Sequence, residues 1–232
     1  MNDTAVPTAA PDPLLGHAFA RHELLTEALT HRSAVRKRGS TRRGYERLEF
    51  LGDRVLGLVI AELLWRRFPD EAEGELTRRH THLVRREALA EVAKALDLGP
   101  RIIVSRGEDA AGVRHNPSVL ADVCEALIAA LYLDGGLAAA RDFVERWWEP
   151  RLAALAAPPR DPKTALQEWA QARGLPLPSY RTVATEGPAH RRRFTVTVSV
   201  EGLQPATATG STKRAAETAA AAAALAALDD KT

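Results

Sequence analysis

Five carboxylates stand at helical spacing in two short segments. Glu46, Glu49 and Asp53 occupy i, i+3 and i+7. At about 100° per residue they fall within roughly 60° of one another on a helix. Leu48, Leu51, Val55 and Leu58 cover the opposite side, while Phe50, Leu56 and Ile60 lie close to the acidic stripe, so that side is not generally polar. Three acids on one face repel, and only Arg47 and Arg54 are near in sequence to offset them. The ordinary reading of such a stripe is a solvated amphipathic face. The second segment is less ordinary. From Asn116 to Leu133 the only charged residues are Asp122 and Glu125, set among Val119, Leu120, Val123, Cys124, Leu127, Ile128 and Leu131. A helix apolar all round is a buried helix, and a buried carboxylate is costly unless paired or bound to a cation. Two readings are open, arginine partners in the core or bound metal ions.

Side by side, the two segments offer an oxygen-only donor set. Such a set suits Mg2+ or, in its place, Mn2+. Beside basic residues it fits phosphodiester hydrolysis, in which one cation lowers the pKa of the attacking water and another stabilises the leaving oxygen and the charge on phosphorus. Other chemistries lack their residues. The seven histidines form no HExxH pattern, and no glycine-rich phosphate loop is present, so no nucleotide cofactor is expected. Cys124 is the only cysteine, which excludes an intrachain disulfide and a cysteine-based zinc site and fits a cytoplasmic location. The N-terminus has no secretory pattern and no run of about 18 apolar residues is evident, so no membrane span is expected.

The elements that must hold these acids are helical. With 45% hydrophobic and 27% charged residues among 232, wholesale disorder is excluded. Residues 1–13, with three prolines, read as a flexible tail. Apolar periodicity predicts helices over about 23–33, 44–67, 74–81, 84–96, 117–133 and 136–155, hence an all-α domain over 14–155. The stretch 156–161 reads as a linker. Beyond it, over 162–230, the pattern becomes helix, three strands, helix, with Phe194, Val196, Val198 and Val200 alternating against Thr195, Thr197 and Ser199. The net charge is only +2, but the signs segregate. Arg32, Arg36, Lys37, Arg38, Arg42 and Arg43 run without an acid among them, and Arg191–Arg193 are consecutive. Two readings are open for such clusters, local phosphate or RNA contacts whatever the sum, or a solvated loop over 32–43 and a solubilising turn at 191–193.

Glu46-Arg47-Leu48-Glu49-Phe50-Leu51-Gly52-Asp53 closely resembles the signature of the ribonuclease III family. His31-Arg32-Ser33 precedes it as in that family, Phe68-Pro69 followed by Glu73-Gly74 resembles the intervening segment, and Asp122-Val123-Cys124-Glu125-Ala126 resembles the second acidic motif. The resemblance implies an all-α nuclease domain, an endoribonuclease of double-stranded RNA working as a homodimer with Mg2+, and 5′-phosphate and 3′-hydroxyl products. It implies ribosomal RNA precursors and structured transcripts as substrates. Carried over by position, Glu49, Asp53, Asp122 and Glu125 form the metal-binding core, Asp53 and Glu125 are the catalytic pair, and Glu46 and Glu73 are supporting acids. Phe50 is the aromatic that packs into the partner subunit. The family often has Asn where this chain has Tyr45, a change expected to touch no catalytic carboxylate.

The last seventy residues resemble a double-stranded-RNA-binding domain of α-β-β-β-α order. Asp161–Glu168 fits its first helix, Gly187-Pro188-Ala189-His190 its hairpin loop, and Gly210–Glu217 the start of its last helix. That helix start offers unpaired N–H groups and a positive dipole end to a phosphate. Lys213 and Arg214 add charge there, and Glu217 is available for the capping turn. Thr164, Gln167 and Glu168 on the first helix and His190 in the loop are the further expected RNA contacts, read across successive minor grooves of A-form duplex. The rivals are a module that binds duplex RNA without cutting it and a scaffold whose acids sit in core salt bridges.

Overall fold

The computed structural model describes residues 12–35, 43–155, 157–158, 161–188 and 192–229, in two compact units that divide at Pro159/Arg160. The first unit is helical: α1 (His22–Ala28), α2 (Arg32–Val35), α3 (Glu46–Arg67), α4 (Glu73–Leu83), α5 (Arg86–Ala95), α6 (Arg106–Ala110) and α7 (Pro117–Ala153). Its core centres on α7, where Val119–Ala121, Val123, Cys124 and Ala126–Leu131 are buried against α3 and α5. Burial of this stretch follows from its near-absence of charge. Leu48, Val55, Leu56, Val59, Ile60, Leu63 and Leu64 are the buried side of α3.

One contact sets the spacing of these two helices. A Cβ built on Gly52 would lie 1.8 Å from the Glu125 carbonyl oxygen. The α3 backbone therefore lies directly on that of α7, an approach only glycine permits. Around it, local signals hold. Asn116 caps α7, its side chain accepting from the Ser118 N–H at 2.9 Å, and Pro117 occupies the first turn. The division expected at Gly135-Gly136 persists as a break inside α7, where Gly136 has φ +72°. Beside the break, the Asp134 carboxylate accepts from the Ala20 and Arg21 N–H groups at 2.9 and 3.0 Å, with His17 Nε2 at 2.8 Å. Burial pushes this carboxyl up, but those bonds outweigh it and bring its pKa to about 2.

Several expectations are corrected. The helix foreseen over 23–33 stops at Ala28, because Leu29 and His31 turn their backbone groups to Ile103 (2.7 and 2.9 Å) in a parallel bridge. Asp12 is no tail: it accepts from the Leu14 and Leu15 N–H groups and pairs with Arg101 at 2.6 Å. Residues 1–11 lie outside the described ones. Leu58 is not core but 56% exposed. The expectation that no segment has the length and hydropathy of a membrane span fails for α7, with an 18-residue stretch of mean hydropathy 1.6. Half of that stretch is buried inside this domain, as befits its central helix.

The second unit comprises α8 (Pro162–Gln171), β1 (Ser179–Glu186), β2 (Arg193–Ser199), β3 (Ala206–Gly210) and α9 (Lys213–Asp229). The strands form an antiparallel sheet in the order β1-β2-β3, with Tyr180 opposite Val198 and Val198 opposite Ala206. The alternation read along β2 is realised, with Val196, Val198 and Val200 buried. Val198 and Val200 meet Leu166 and Ala170 of α8 and Ala220, Ala221 and Ala224 of α9. Asp161, assigned to the linker, is instead the cap of α8, its carboxylate accepting from the Lys163 and Thr164 N–H groups at 3.0 and 3.1 Å. Residue 230 lies outside the described residues.

The contact at Gly52 yields a test. Gly52→Ala forces α3 and α7 apart and costs about 3 kcal/mol, the upper end of overpacking penalties, read as a fall in the denaturant midpoint with an unchanged slope. An alanine variant as stable as the parent would show that the two helices do not meet there.

Candidate active site

Glu49 and Asp53 come from successive turns of α3, Asp122 and Glu125 from one turn of α7. The Gly52 contact lies in sequence between the two α3 acids and packs against the Glu125 backbone itself. Between Val119 and Leu131, Asp122 and Glu125 are the residues that remain half-buried while their neighbours are buried. They stand at the rim of the core, open on one side.

Their electrostatics show the convergence. Burial, then the charges of Asp53, Glu49 and Asp122, push the Glu125 carboxyl up to about 8. Burial and then the Asp122 and Glu46 charges raise Glu49. Burial raises Asp122, against the opposing influence of Arg86, the Tyr45 hydroxyl and His31. Four carboxylates thus share one field. Asp53 pairs with Arg54 at 2.6 Å, both well exposed. Among the described residues Glu49, Asp122 and Glu125 form no ion pair, so the arginine-paired reading of the α7 acids is not realised. A hard, uncompensated oxygen donor set of this kind fits a divalent cation. Among the described residues no three Asp, Glu, His or Cys side chains enclose a metal position. A cation here would therefore complete its shell with water and substrate oxygens, as Mg2+ characteristically does.

Glu46 is exposed at the first position of α3, and its field reaches Glu49. Glu73, by contrast, is not brought into the cluster. It is exposed at the start of α4, accepts from the Thr77 hydroxyl at 2.9 Å, and is not among the charges acting on Glu49, Asp122 or Glu125. Sequence reasoning missed Arg86 at the start of α5, the cation whose field reaches Glu49, Asp122 and Glu125. One arginine of an Arg85-Arg86 pair carries no spacing signal that would single it out. Tyr45 is a correction. It does touch a catalytic candidate, donating its hydroxyl to Asp122 Oδ2 at 3.5 Å.

On the exposed side of α3, Phe50, Leu58 and Trp65 are 65%, 56% and 71% exposed. Their spacing keeps them within about 80° of one another, and Arg54 lies over the Phe50 ring at 4.3 Å. Of the basic run, Arg36, Lys37, Arg38 and Arg42 fall outside the described residues, as do His190 and Arg191.

In the second unit, Thr164, Gln167 and Glu168 are exposed at i, i+3 and i+4 along α8. Lys213 and Arg214 are exposed in the first turn of α9, and Thr164, Lys213 and Arg214 line one surface pocket with Asp161, Lys163 and Glu217. The capping expectation is corrected. Thr212 caps α9, its hydroxyl accepting from the Ala215 N–H at 3.1 Å, while Glu217 pairs with Lys163 of α8 at 2.6 Å. A Cβ on Gly210 would lie 2.4 Å from the Ala216 nitrogen, so the end of β3 and the first turn of α9 are as close as backbones allow.

Residues 21–152 match a family model described as ribonuclease-III-like, and residues 162–228 one described as a double-stranded RNA binding motif. The chain is 53% identical over 218 residues to a protein named Ribonuclease 3 from Azorhizobium caulinodans, covering 94% of this chain and 93% of that one. It is 51% identical over 208 residues to the protein of that name from Caulobacter vibrioides, covering 89% and 90%. Among solved structures, the nuclease domain of ribonuclease III from Campylobacter jejuni, described in connection with flexibility in its dimer-forming region, is similar at 38% identity. Its TM-score is 0.55, over 60% of this chain and 94% of that one.

The strained cluster has a thermodynamic signature. Glu125 in the folded chain holds its proton up to about 8, while its ordinary value is 4.5. Between these values the unfolded chain has lost a proton that the folded chain keeps, so in EDTA stability declines as pH rises through that window. Glu125→Gln removes this contribution. The variant gains on the parent in melting temperature as pH rises from about 4.5 to about 8, and an equal or growing deficit across that window would refute the assignment.

Proposed function

This chain belongs to the ribonuclease III family, and we propose that it is a Mg2+-dependent endoribonuclease that hydrolyses double-stranded RNA, Mn2+ substituting for Mg2+. The observation that carries the reading is the set of four mutually coupled carboxylates, three of them without a basic partner. A divalent cation bound there supplies an activated water at neutral pH and charge stabilisation at phosphorus and at the leaving oxygen. Glu49, Asp53, Asp122 and Glu125 hold the cation, with Asp53 and Glu125 closest to the chemistry. Glu125, the most strongly perturbed, keeps its proton in the bare cluster and yields it when positive charge is held against it. Water oxygen bonds to phosphorus and the P–O3′ bond breaks, leaving a 5′-phosphate and a 3′-hydroxyl. Glu46 and Glu73, outside this set of four, are supporting acids around the RNA or a second metal.

The second domain supplies affinity. Lys213 and Arg214 at the amino end of α9 meet a phosphate, and Thr164, Gln167 and Glu168 on α8 face 2′-hydroxyls of a minor groove, with His190 serving the next. Ribosomal RNA precursors and structured transcripts are the proposed substrates. The chain works as a homodimer, one strand cut by each subunit. The exposed Phe50, Leu58 and Trp65 are the apolar stripe that a second copy would cover. Neither a nucleotide nor a membrane enters this reading. A cytoplasmic location belongs to it as well, since Cys124 is a buried free thiol. A binding module that holds duplex RNA without cutting it has no use for such a cluster.

Incubated with Mg2+ and a long RNA duplex, the protein cuts it to short duplexes, and EDTA stops cutting. Glu125→Gln loses cleavage by about ten-thousandfold, as removal of one member of a catalytic unit does, and still shifts the duplex on a gel. A wild-type protein that shifts the duplex and leaves it intact in Mg2+ refutes the enzyme reading. Phe50→Glu places a charge in the apolar stripe and turns the dimer into monomer by sedimentation velocity, while wild type that sediments as a monomer at micromolar concentration refutes the homodimer.

A further inference from the structure

Tyr45 links the two helices that carry the acids. Its backbone carbonyl accepts from the Glu49 N–H at 2.8 Å, the first hydrogen bond of α3. Its side-chain hydroxyl donates to Asp122 Oδ2 on α7. One residue therefore ties an acid from each helix. Its own placement is well determined. The ring is 5% exposed, the Tyr45 N–H donates to the Thr30 carbonyl at 3.0 Å, and the ring lies 5.9 Å from that of His31. His31 is in turn held by its backbone bond to Ile103 and by Ser33, whose hydroxyl lies 2.8 Å from His31 Nδ1 and accepts from the Ser105 N–H at 3.1 Å. A buried phenol keeps a hydrogen-bond partner, and among the described residues Asp122 is the partner this one has.

We propose that Tyr45 is a positioning residue for the cation site, orienting the Asp122 carboxylate through Oδ2 so that Oδ1 is presented to the metal. This rests on the proposed function, in which Asp122 holds the cation. A hydrogen bond behind a metal-ligating carboxylate fixes its rotamer before the ion arrives, and loss of such a partner costs about tenfold or more in metal affinity. The bond acts on cation affinity and not on duplex binding, because Tyr45 belongs to the nuclease domain core and the α8 and α9 surfaces lie in the other unit.

The test uses Tyr45→Phe, which keeps the buried ring and deletes the hydroxyl, with Asp122→Asn as reference. Mn2+ binding to the RNA-free, full-length protein is read by electron paramagnetic resonance of the free ion, and cleavage of a defined duplex is titrated with Mg2+. In Tyr45→Phe the Mn2+ dissociation constant and the half-saturating Mg2+ concentration rise together by about tenfold. The rate at saturating Mg2+ falls by much less, and the melting temperature and the gel shift in EDTA stay at wild type. If Tyr45→Phe binds Mn2+ as wild type does while Asp122→Asn binds it weakly, the role of Tyr45 is wrong and the cation site stands. A Tyr45→Phe protein whose melting temperature in EDTA falls along with its Mn2+ affinity also overturns the proposal, since the hydroxyl would then support the fold. If Asp122→Asn binds Mn2+ as tightly as wild type, the cation site itself is misassigned and the proposal falls with it.

Discussion

The approach of α3 to α7 at Gly52 is the constraint on which the nuclease domain depends. A backbone-to-backbone contact without an intervening side chain brings two helices closer than ridge-and-groove packing of larger residues does. Here it falls between the two α3 acids, against the peptide that carries Glu125. Carboxylates within a helical turn of such a contact are brought together at the rim of the core, and burial, then repulsion from Asp53, Glu49 and Asp122, raises the Glu125 carboxyl. The same contact that closes the core thus brings the candidate site's acids together.

That arrangement works against stability. Like charges at the rim of an apolar core oppose folding, and Arg86 is the cation whose field reaches three of the four. The rest of the domain offsets the strain with apolar burial along α7 and with polar fastenings far from the acids. Asp134 gathers the segment around His17, Ala20 and Arg21. Arg79, itself buried, grips Glu71 at 2.6 Å, stacks on Phe68 and donates to the Leu155 carbonyl. These pairings satisfy each buried charge. The contrast with the unpaired Glu49, Asp122 and Glu125 is what marks this cluster as the candidate site.

The small net charge of +2 takes on a different meaning in this light. It suggests a protein with no polyanionic partner, yet part of its negative charge is concentrated in a cluster that a divalent cation would neutralise. With that cluster filled, the surface presented to RNA is more basic than the sum implies. In the second domain Lys213 and Arg214 form no ion pair among the described residues at the start of α9, while Lys163 pairs with Glu217 and lies over the Tyr180 ring, where it joins α8, β1 and α9.

Read without its structure, the chain already disclosed two domains, an all-α unit followed by α-β-β-β-α, and nearly all the helices. Spacing also singled out the acids Glu46, Glu49, Asp53, Asp122 and Glu125, the choice of four among them coming from the family resemblance. These are legible because helix periodicity, strand alternation and capping are short-range: a side chain's face follows from its position within a few residues. The anomaly of two acids in the apolar Asn116–Leu133 stretch was equally local. What needed the tertiary structure was every relation between residues distant in sequence. Helix approach decided that Gly52 is a contact rather than a flexible point and that Glu73 stands apart from the cluster. Packing left Leu58 outside, although its local neighbours are apolar. It brought Arg86 and the Tyr45 hydroxyl to the acids, and it turned Glu217 from its own helix start to Lys163. No pattern within a segment encodes such pairings, because they depend on the distance and angle between elements, which the close-packed core sets for the whole domain at once.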